Sequence, residues 1–213
     1  LRAGVLGAND GIVSTAGIVV GVAAATTDRA PIFTAGIAGL AAGAVSMALG
    51  EYVSVSTQRD TERSLLAKEE RELAEAPEAE FEELVGLYEQ KGLSHSTACL
   101  VARELTEHNA FDAHVDVELG IDPHELTNPW QAAASSAVSF TTGAALPLIA
   151  ILTPSAPIRI PVTFVVVLLA LAMTGAIGAI LGGSTPWRPM IRVVIGGAIA
   201  MAVTFGIGHL VGH

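Results

Sequence analysis

Carboxylates gather in one stretch of this chain at spacings that put several on a shared helix face. Glu69 and Glu72 form one i, i+3 pair and Glu80 and Glu83 another, on either side of Pro77. Residues three apart lie on the same side of a helix, so each pair presents its carboxylates together, and a reversal at Pro77 would oppose the two pairs. Further along, Glu104, Glu107, His114 and Glu118 are spaced three, seven and four, which keeps them on a common stripe with Phe111. Carboxylates joined by an imidazole are the donors that bundled helices offer to iron, whereas a glutamate-rich helix without an ion is simply a solvated face. A second set lies in apolar sequence. Met47, Glu51 and Ser54 fall at i, i+4 and i+7. A thioether beside a carboxylate suits a borderline ion such as Fe²⁺ better than Mg²⁺ or Ca²⁺, which prefer oxygen alone. Asp10 sits beside Asn9 and between Gly7 and Gly11. A carboxylate at mid-membrane costs about 2.5–3.5 kcal/mol on insertion scales and calls for a partner, water or an ion. The alternative is that its helix starts later and Asp10 caps it.

The elements that must carry these residues are of two kinds. The chain has 213 residues, 51% of them hydrophobic, with a mean hydropathy of +0.56, which points to a membrane class. Crossing ~30 Å of hydrocarbon takes about 20 apolar residues in a helix. Five stretches qualify: Gly4 to Ala25, Pro31 to about Val55, Asn128 to about Leu152, Pro161 to Leu181, and Arg188 to Val211. Between the second and third lies a block of soluble composition, read as helices over Arg59–Ala76, Glu78–Lys91 and Ser94–Leu119. In its middle helix Phe81, Leu84, Val85 and Tyr88 mark an apolar stripe for packing; in its third, Val101, Leu105 and Val115 mark a buried side. The expected fold is therefore all-α: a polytopic membrane protein of five transmembrane helices, with a three-helix cytoplasmic metal-binding domain inserted between the second and third. The expected division is 1–58 for the first two transmembrane helices, 59–127 for the inserted domain and 128–213 for the last three.

Charge follows the same division. The formal net charge is −10, and all of the 21 Asp and Glu residues except Asp10, Asp28 and Glu51 lie between Arg59 and Asn128. Such a segment attracts cations, and the scattered 11 Lys and Arg residues make no basic face for nucleic acid. Arg59, Arg63, Arg188 and Arg192 favour one common side, the cytoplasm, against Arg29 and Arg159 in the opposing loops. Small residues recur at four-residue spacing, at Gly7/Gly11, Gly17/Gly21, Gly39/Gly43, Gly178/Gly182 and Gly208/Gly212. They predict close helix packing, within the chain or at a dimer seam. Cys99, the single cysteine, is expected to be a small buried helix residue. A chain that opens on Leu1 is expected to lack a short amino-terminal extension, and no cleavable signal peptide is expected in the first apolar stretch.

Long motifs in the first three spans resemble those of the vacuolar iron transporter family. They are Gly7-Ala8-Asn9-Asp10-Gly11-Ile12-Val13-Ser14-Thr15 and Ser46-Met47-Ala48-Leu49-Gly50-Glu51-Tyr52-Val53-Ser54-Val55-Ser56. Asn128-Pro129-Trp130-Gln131-Ala132-Ala133-Ala134 and Gly143-Ala144-Ala145-Leu146-Pro147-Leu148 are similar as well. The resemblance runs in order along essentially the whole chain. It implies a five-span homodimer in a lipid bilayer, with the translocation path between subunits. It further implies Fe²⁺/H⁺ antiport, with Mn²⁺, Zn²⁺ or Co²⁺ as other bound and transported ions, and no prosthetic group. Asp10 and Met47 match the family's path-lining residues, and Glu51 lies in the same motif. Glu69, Glu72, Glu80 and Glu83 match the glutamates of its cytoplasmic metal-binding domain, and Glu118 matches one in its last helix. Where plant members carry adjacent methionines, this chain has His114 and Val115, and its insertion is longer. Imidazole in place of thioether shifts metal preference and pH dependence. The membrane would be the plasma membrane in a prokaryote and the vacuolar membrane in a plant or fungus.

Two other classes compete with transport. A tethered ferroxidase needs paired Glu-x-x-His elements; Glu104 is followed at i+3 by Glu107, and the pairing does not recur, so no enzyme is expected. A membrane-anchored iron sensor would bind metal at the insertion and carry nothing across.

Overall fold

The computed structural model describes residues 2–123 and 126–212. His124 and Glu125, which the sequence assigns to the inserted domain, lie outside the described residues. Among the described residues seven α-helices follow one another: α1 (Arg2–Ala25), α2 (Arg29–Glu75), α3 (Pro77–Gln90), α4 (His95–His114), α5 (Pro129–Leu152), α6 (Ala156–Leu181) and α7 (Trp187–Val211). A π-helical turn, Val115–Leu119, extends α4. The described residues contain no strand. Five helices, α1, α2, α5, α6 and α7, are long and apolar enough to cross a membrane. The chain divides into two compact units, Leu1–Tyr52 with Trp130–His213, and Val53–Pro129.

In the first unit, α1 packs against α6 and α7, and α6 against α7. The core is Ile12, Ala16, Val19 and Val20 of α1 with Ile32, Leu148, Ile151, Val167, Leu171 and Met201. Lipid offers helices no hydrophobic drive to associate, so backbones must come close enough to gain dispersion contacts. At Gly11 a Cβ would run into the Phe140 carbonyl of α5, and at Gly143 one would strike the Ala8 carbonyl in return. Gly208 of α7 meets the Gly21 carbonyl of α1 in the same way. Gly11, Gly21 and Gly208, members of the small-residue rows, thus serve packing inside one chain. Thr174 of α6 donates to Asn9 Oδ1 of α1. At one end, buried Arg159 donates to the Thr27 carbonyl at 3.0 Å, and Arg29 to the Pro154 carbonyl at 3.1 Å. The two guanidinium groups thereby tie the α1–α2 turn to the α5–α6 turn.

Three boundaries differ from expectation. First, no break separates the second span from the helix expected at Arg59; α2 is continuous over 47 residues. Composition changes there, but the polar residues satisfy themselves along the helix without ending it. Thr57 and Thr61 donate to the carbonyls four residues back, and Gln58 bonds Glu62 at 2.8 Å. Second, the helix expected over Ser94–Leu119 is broken at Asn109, whose φ of −163° and ψ of 101° are extended. Third, α6 starts at Ala156, before the expected Pro161, with Ser155 extended ahead of it and a proline in its first turn.

The second unit closes around Leu84, Val85, Ala98, Ala102 and Ala113, with Phe81, Tyr88, Leu105 and Val117 packed on them. Ala76, non-helical at φ −141° and ψ 56°, separates α2 from α3, and Pro77 opens α3. Its missing N–H would find no helical partner at that position in any case. Ser94 caps α4, its hydroxyl accepting from the Thr97 amide.

Candidate metal centre

Three elements of the second unit each contribute one donor. Glu69 lies on α2 beyond its apolar portion, Glu80 is in the first turn of α3, and His114 ends α4. What sets His114 is the break at Asn109. The Asn109 Oδ1 accepts from the Asp112 amide at 3.2 Å, and its Nδ2 donates to Asp112 Oδ2 at 2.7 Å. That reciprocal pair starts a fresh helical segment, as an N-cap does. The segment runs into the π turn and stops at Gly120, whose φ of 62° and ψ of 30° are left-handed, a conformation open to glycine at no steric cost.

His114 Nδ1 stands 3.1 Å from Glu69 Oε1 and 3.8 Å from Glu80 Oε2. The side chains of His114 and Glu69 are only 1% and 3% exposed, and that of Glu80 10%. Close as they are, Glu69 Oε1 and His114 Nδ1 make no hydrogen bond. Two buried polar atoms therefore stand side by side without a hydrogen bond. An unmet buried polar group costs on the order of 1–3 kcal/mol. Two donors about 2.1 Å from one ion lie about 3.0 Å apart at right angles and about 3.4 Å apart in a tetrahedron, so the spacing fits adjacent ligands of a first-row divalent ion. Two carboxylates and a neutral imidazole would also balance a charge of +2. The donor set therefore fits such an ion.

Electrostatics point the same way. Burial first, then the charges of Glu118, Glu80, Glu72 and Glu83, push the Glu69 carboxyl up from 4.5 to about 7. Burial and Glu83 also raise Glu80, with His114 opposing. Burial and like charge favour the protonated carboxyls when no cation is near, and a cation would favour the ionised oxygens as ligands.

The expected site residues sort into four groups. Glu69, Glu80 and His114 come together, with donor atoms all within 4.8 Å of one another, and they are the only such group of three among the described residues. Glu72, Glu83 and Glu118 stand outside it. Glu72 pairs with Lys68 at 2.7 Å, Glu83 and Glu118 are exposed, and all three act on Glu69 through their charge. Glu104 and Glu107 are exposed and precede the break at Asn109, so the stripe expected to join them to His114 does not exist. In the first unit, Asp10 is exposed and accepts from Ser14 Oγ at 3.1 Å. Met47 and Glu51 are half-buried, and the Met47 methyl lies beside α1 at Gly7. Sequence reasoning missed Asn109, although Asn109-Ala110-Phe111-Asp112 carries the capping pattern of an amide followed three residues later by a carboxylate. It also missed the Asn9–Thr174 contact, whose partners are 165 residues apart and leave no local signal.

Comparison with known proteins agrees along the full length. The family model described as the VIT family matches residues 1–209. A protein named vacuolar iron transporter from Acanthamoeba castellanii is 43% identical over 211 residues, covering 99% of this chain and 78% of its own. Vacuolar iron transporter homolog 2.1 of Arabidopsis thaliana is 37% identical over 213 residues, covering 100% of this chain and 81% of its own. Vacuolar iron transporter homolog 5 of Oryza sativa is 36% identical over 211 residues, with coverages of 99% and 79%.

Proposed function

We propose, since this chain belongs to the VIT family, that it is an integral membrane transporter exporting Fe²⁺ from the cytoplasm in exchange for protons. Mn²⁺ is the next candidate cargo, and the reading assigns the chain no catalysis. The observation that carries it is the buried Glu69–Glu80–His114 cluster, whose unpaired donors suit a divalent transition metal, in a chain with five helices able to cross a bilayer. The relatives' names supply iron as the cargo and the vacuole as one membrane; in a prokaryote the same protein would work at the plasma membrane.

The acidic unit faces the cytoplasm in this reading, on the side favoured by Arg59, Arg63, Arg188 and Arg192. Glu69, Glu80 and His114 take the ion there, and Glu72, Glu83 and Glu118 hold a negative field around it. The path through the membrane is lined by Asp10, Met47 and Glu51 from two subunits. The exposure of Asp10 in a single chain supports a path completed by a second copy, because an isolated carboxylate facing lipid is costly. Metal and protons compete for the same oxygens, so an inward proton gradient would release the ion on the far side.

Fe²⁺ flux into proteoliposomes under an imposed pH gradient tests this. Gradient-driven flux that Asp10→Ala abolishes is the expected result. No flux in the wild type, with metal still bound to the acidic unit, would overturn transport and leave a membrane-anchored sensor or buffer.

A further inference from the structure

A second set of donors lies where α3 turns into α4, and neither the cluster at Glu69 nor the membrane helices use it. Glu89 is near the end of α3, and His95 and Cys99 are one turn apart at the start of α4. The Glu89 Oε1 lies 3.0 Å from His95 Nδ1, and His95 Nε2 lies 3.6 Å from Cys99 Sγ. A carboxylate can only accept, so Nδ1 carries the proton, and in the neutral tautomer the lone pair is on Nε2, the nitrogen beside the sulfur. Glu89 and His95 are solvent-accessible, with side chains 43% and 69% exposed. Cys99 is half-buried at the edge of the Leu84–Ala98 core, so one side of its sulfur is fixed by packing.

From this geometry we infer a second, peripheral metal site in which His95 Nε2 and Cys99 Sγ bind a thiophilic divalent cation and Glu89 orients the imidazole. A nitrogen at about 2.0–2.1 Å and a thiolate at about 2.3 Å from one tetrahedral ion lie about 3.5–3.6 Å apart, which is the spacing found. A carboxylate on the far nitrogen is the arrangement that fixes the tautomer of a metal-bound histidine and makes it a better donor. On binding, the cation replaces the thiol proton, which leaves to solvent, and the sulfur keeps its electron pair as a thiolate ligand. Water fills the remaining positions, so the site is open and exchanges readily. A thiolate with an imidazole selects borderline and soft ions such as Zn²⁺, Co²⁺ or Fe²⁺ over Mg²⁺ and Ca²⁺. None of this depends on transport or on the cluster at Glu69.

Cys99 is the single cysteine, so a thiolate–metal signal can come from nowhere else. The experiment is an anaerobic Co²⁺ titration of the reduced full chain in detergent, read by the thiolate-to-cobalt charge-transfer absorption in the near ultraviolet. The band is expected to saturate stoichiometrically and to vanish in Cys99→Ser. It should persist in Glu69→Gln and in His114→Ala, whose carboxylate–imidazole cluster contains no sulfur. The affinity read from the band should fall at least tenfold in His95→Ala and about tenfold in Glu89→Gln. A wild type that binds Co²⁺ without the band, or a band whose affinity is unchanged in His95→Ala, would overturn the site.

Discussion

The cluster at Glu69 and the polar residues of the first two apolar helices contrast in completeness. Glu69, Glu80 and His114 come from three elements, exclude solvent and leave donor atoms unpaired toward one another. Asp10, by comparison, is exposed and already accepts a hydrogen bond from Ser14, one turn along its own helix; Met47 and Glu51 are half-buried. One set is assembled by the folding of a single chain. The other is spread over two helices, Asp10 on α1 and Met47 and Glu51 on one face of α2, and its parts do not close on one another. A site meant to hold an ion needs the first condition; a path meant to pass one is better built at a surface that a second subunit or water completes.

The sharpest way to break that contrast is Asp10→Ala. If the two regions have separate tasks, this variant should lose Fe²⁺ flux in proteoliposomes at least 100-fold while isothermal titration still finds the acidic unit binding metal as in the wild type. A parallel loss of binding would mean the two sets act as one site. The reverse substitutions come next. Glu69→Gln and His114→Ala should each weaken binding at the cluster by about 10- to 100-fold, since a donor is lost from a small buried set. Glu83→Gln, which removes only a neighbouring charge, should cost less than either in the same titration.

The pH dependence of the metal-free protein sharpens the comparison further. A carboxyl raised in the folded state from 4.5 to about 7 favours the folded form when protonated. That stabilisation is complete below pH ~4.5 and is lost as pH rises through about 7. Thermal melts of the apo protein should therefore show stability of the acidic unit falling between pH 5 and pH 8, by about 1–3 kcal/mol. Glu69→Gln should flatten the profile, and saturating divalent metal should reverse its slope. A wild-type profile that rises with pH in the absence of metal would contradict the burial of Glu69. Smallest of all is Asn109→Ala, expected to cost about 1 kcal/mol through the lost cap and to weaken metal binding through the displaced His114. Unchanged binding in that variant would show that the break does not position the ligand.

Much of this was legible in the sequence, and the exceptions share a physical cause. The five apolar helices follow from run length and hydropathy, and Glu69, Glu80 and His114 all belong to the donor set read from spacing. Spacing alone could not say that Glu72 would turn to Lys68 while Glu69 was buried, because the i, i+3 rule places both on one face without choosing between them. Nor could it carry a stripe across Asn109, since periodicity assumes an unbroken helix. The continuity of α2 was missed for the opposite reason. A change from apolar to polar composition marks where the surroundings change, but a helix ends only where its hydrogen bonds find a substitute, and nothing near Val55–Arg59 offers one.

The placement of His114 between the break at Asn109 and the left-handed Gly120 has a kinetic consequence. A short helical piece bounded at both ends can open as a unit without melting the rest of its domain. Amide hydrogen exchange across residues 110–119 should then be faster than across α3 in the apo protein and should slow when metal binds. The lifetime of a bound ion would follow the opening of those ten residues, so unloading would be set by a local event with its own rate.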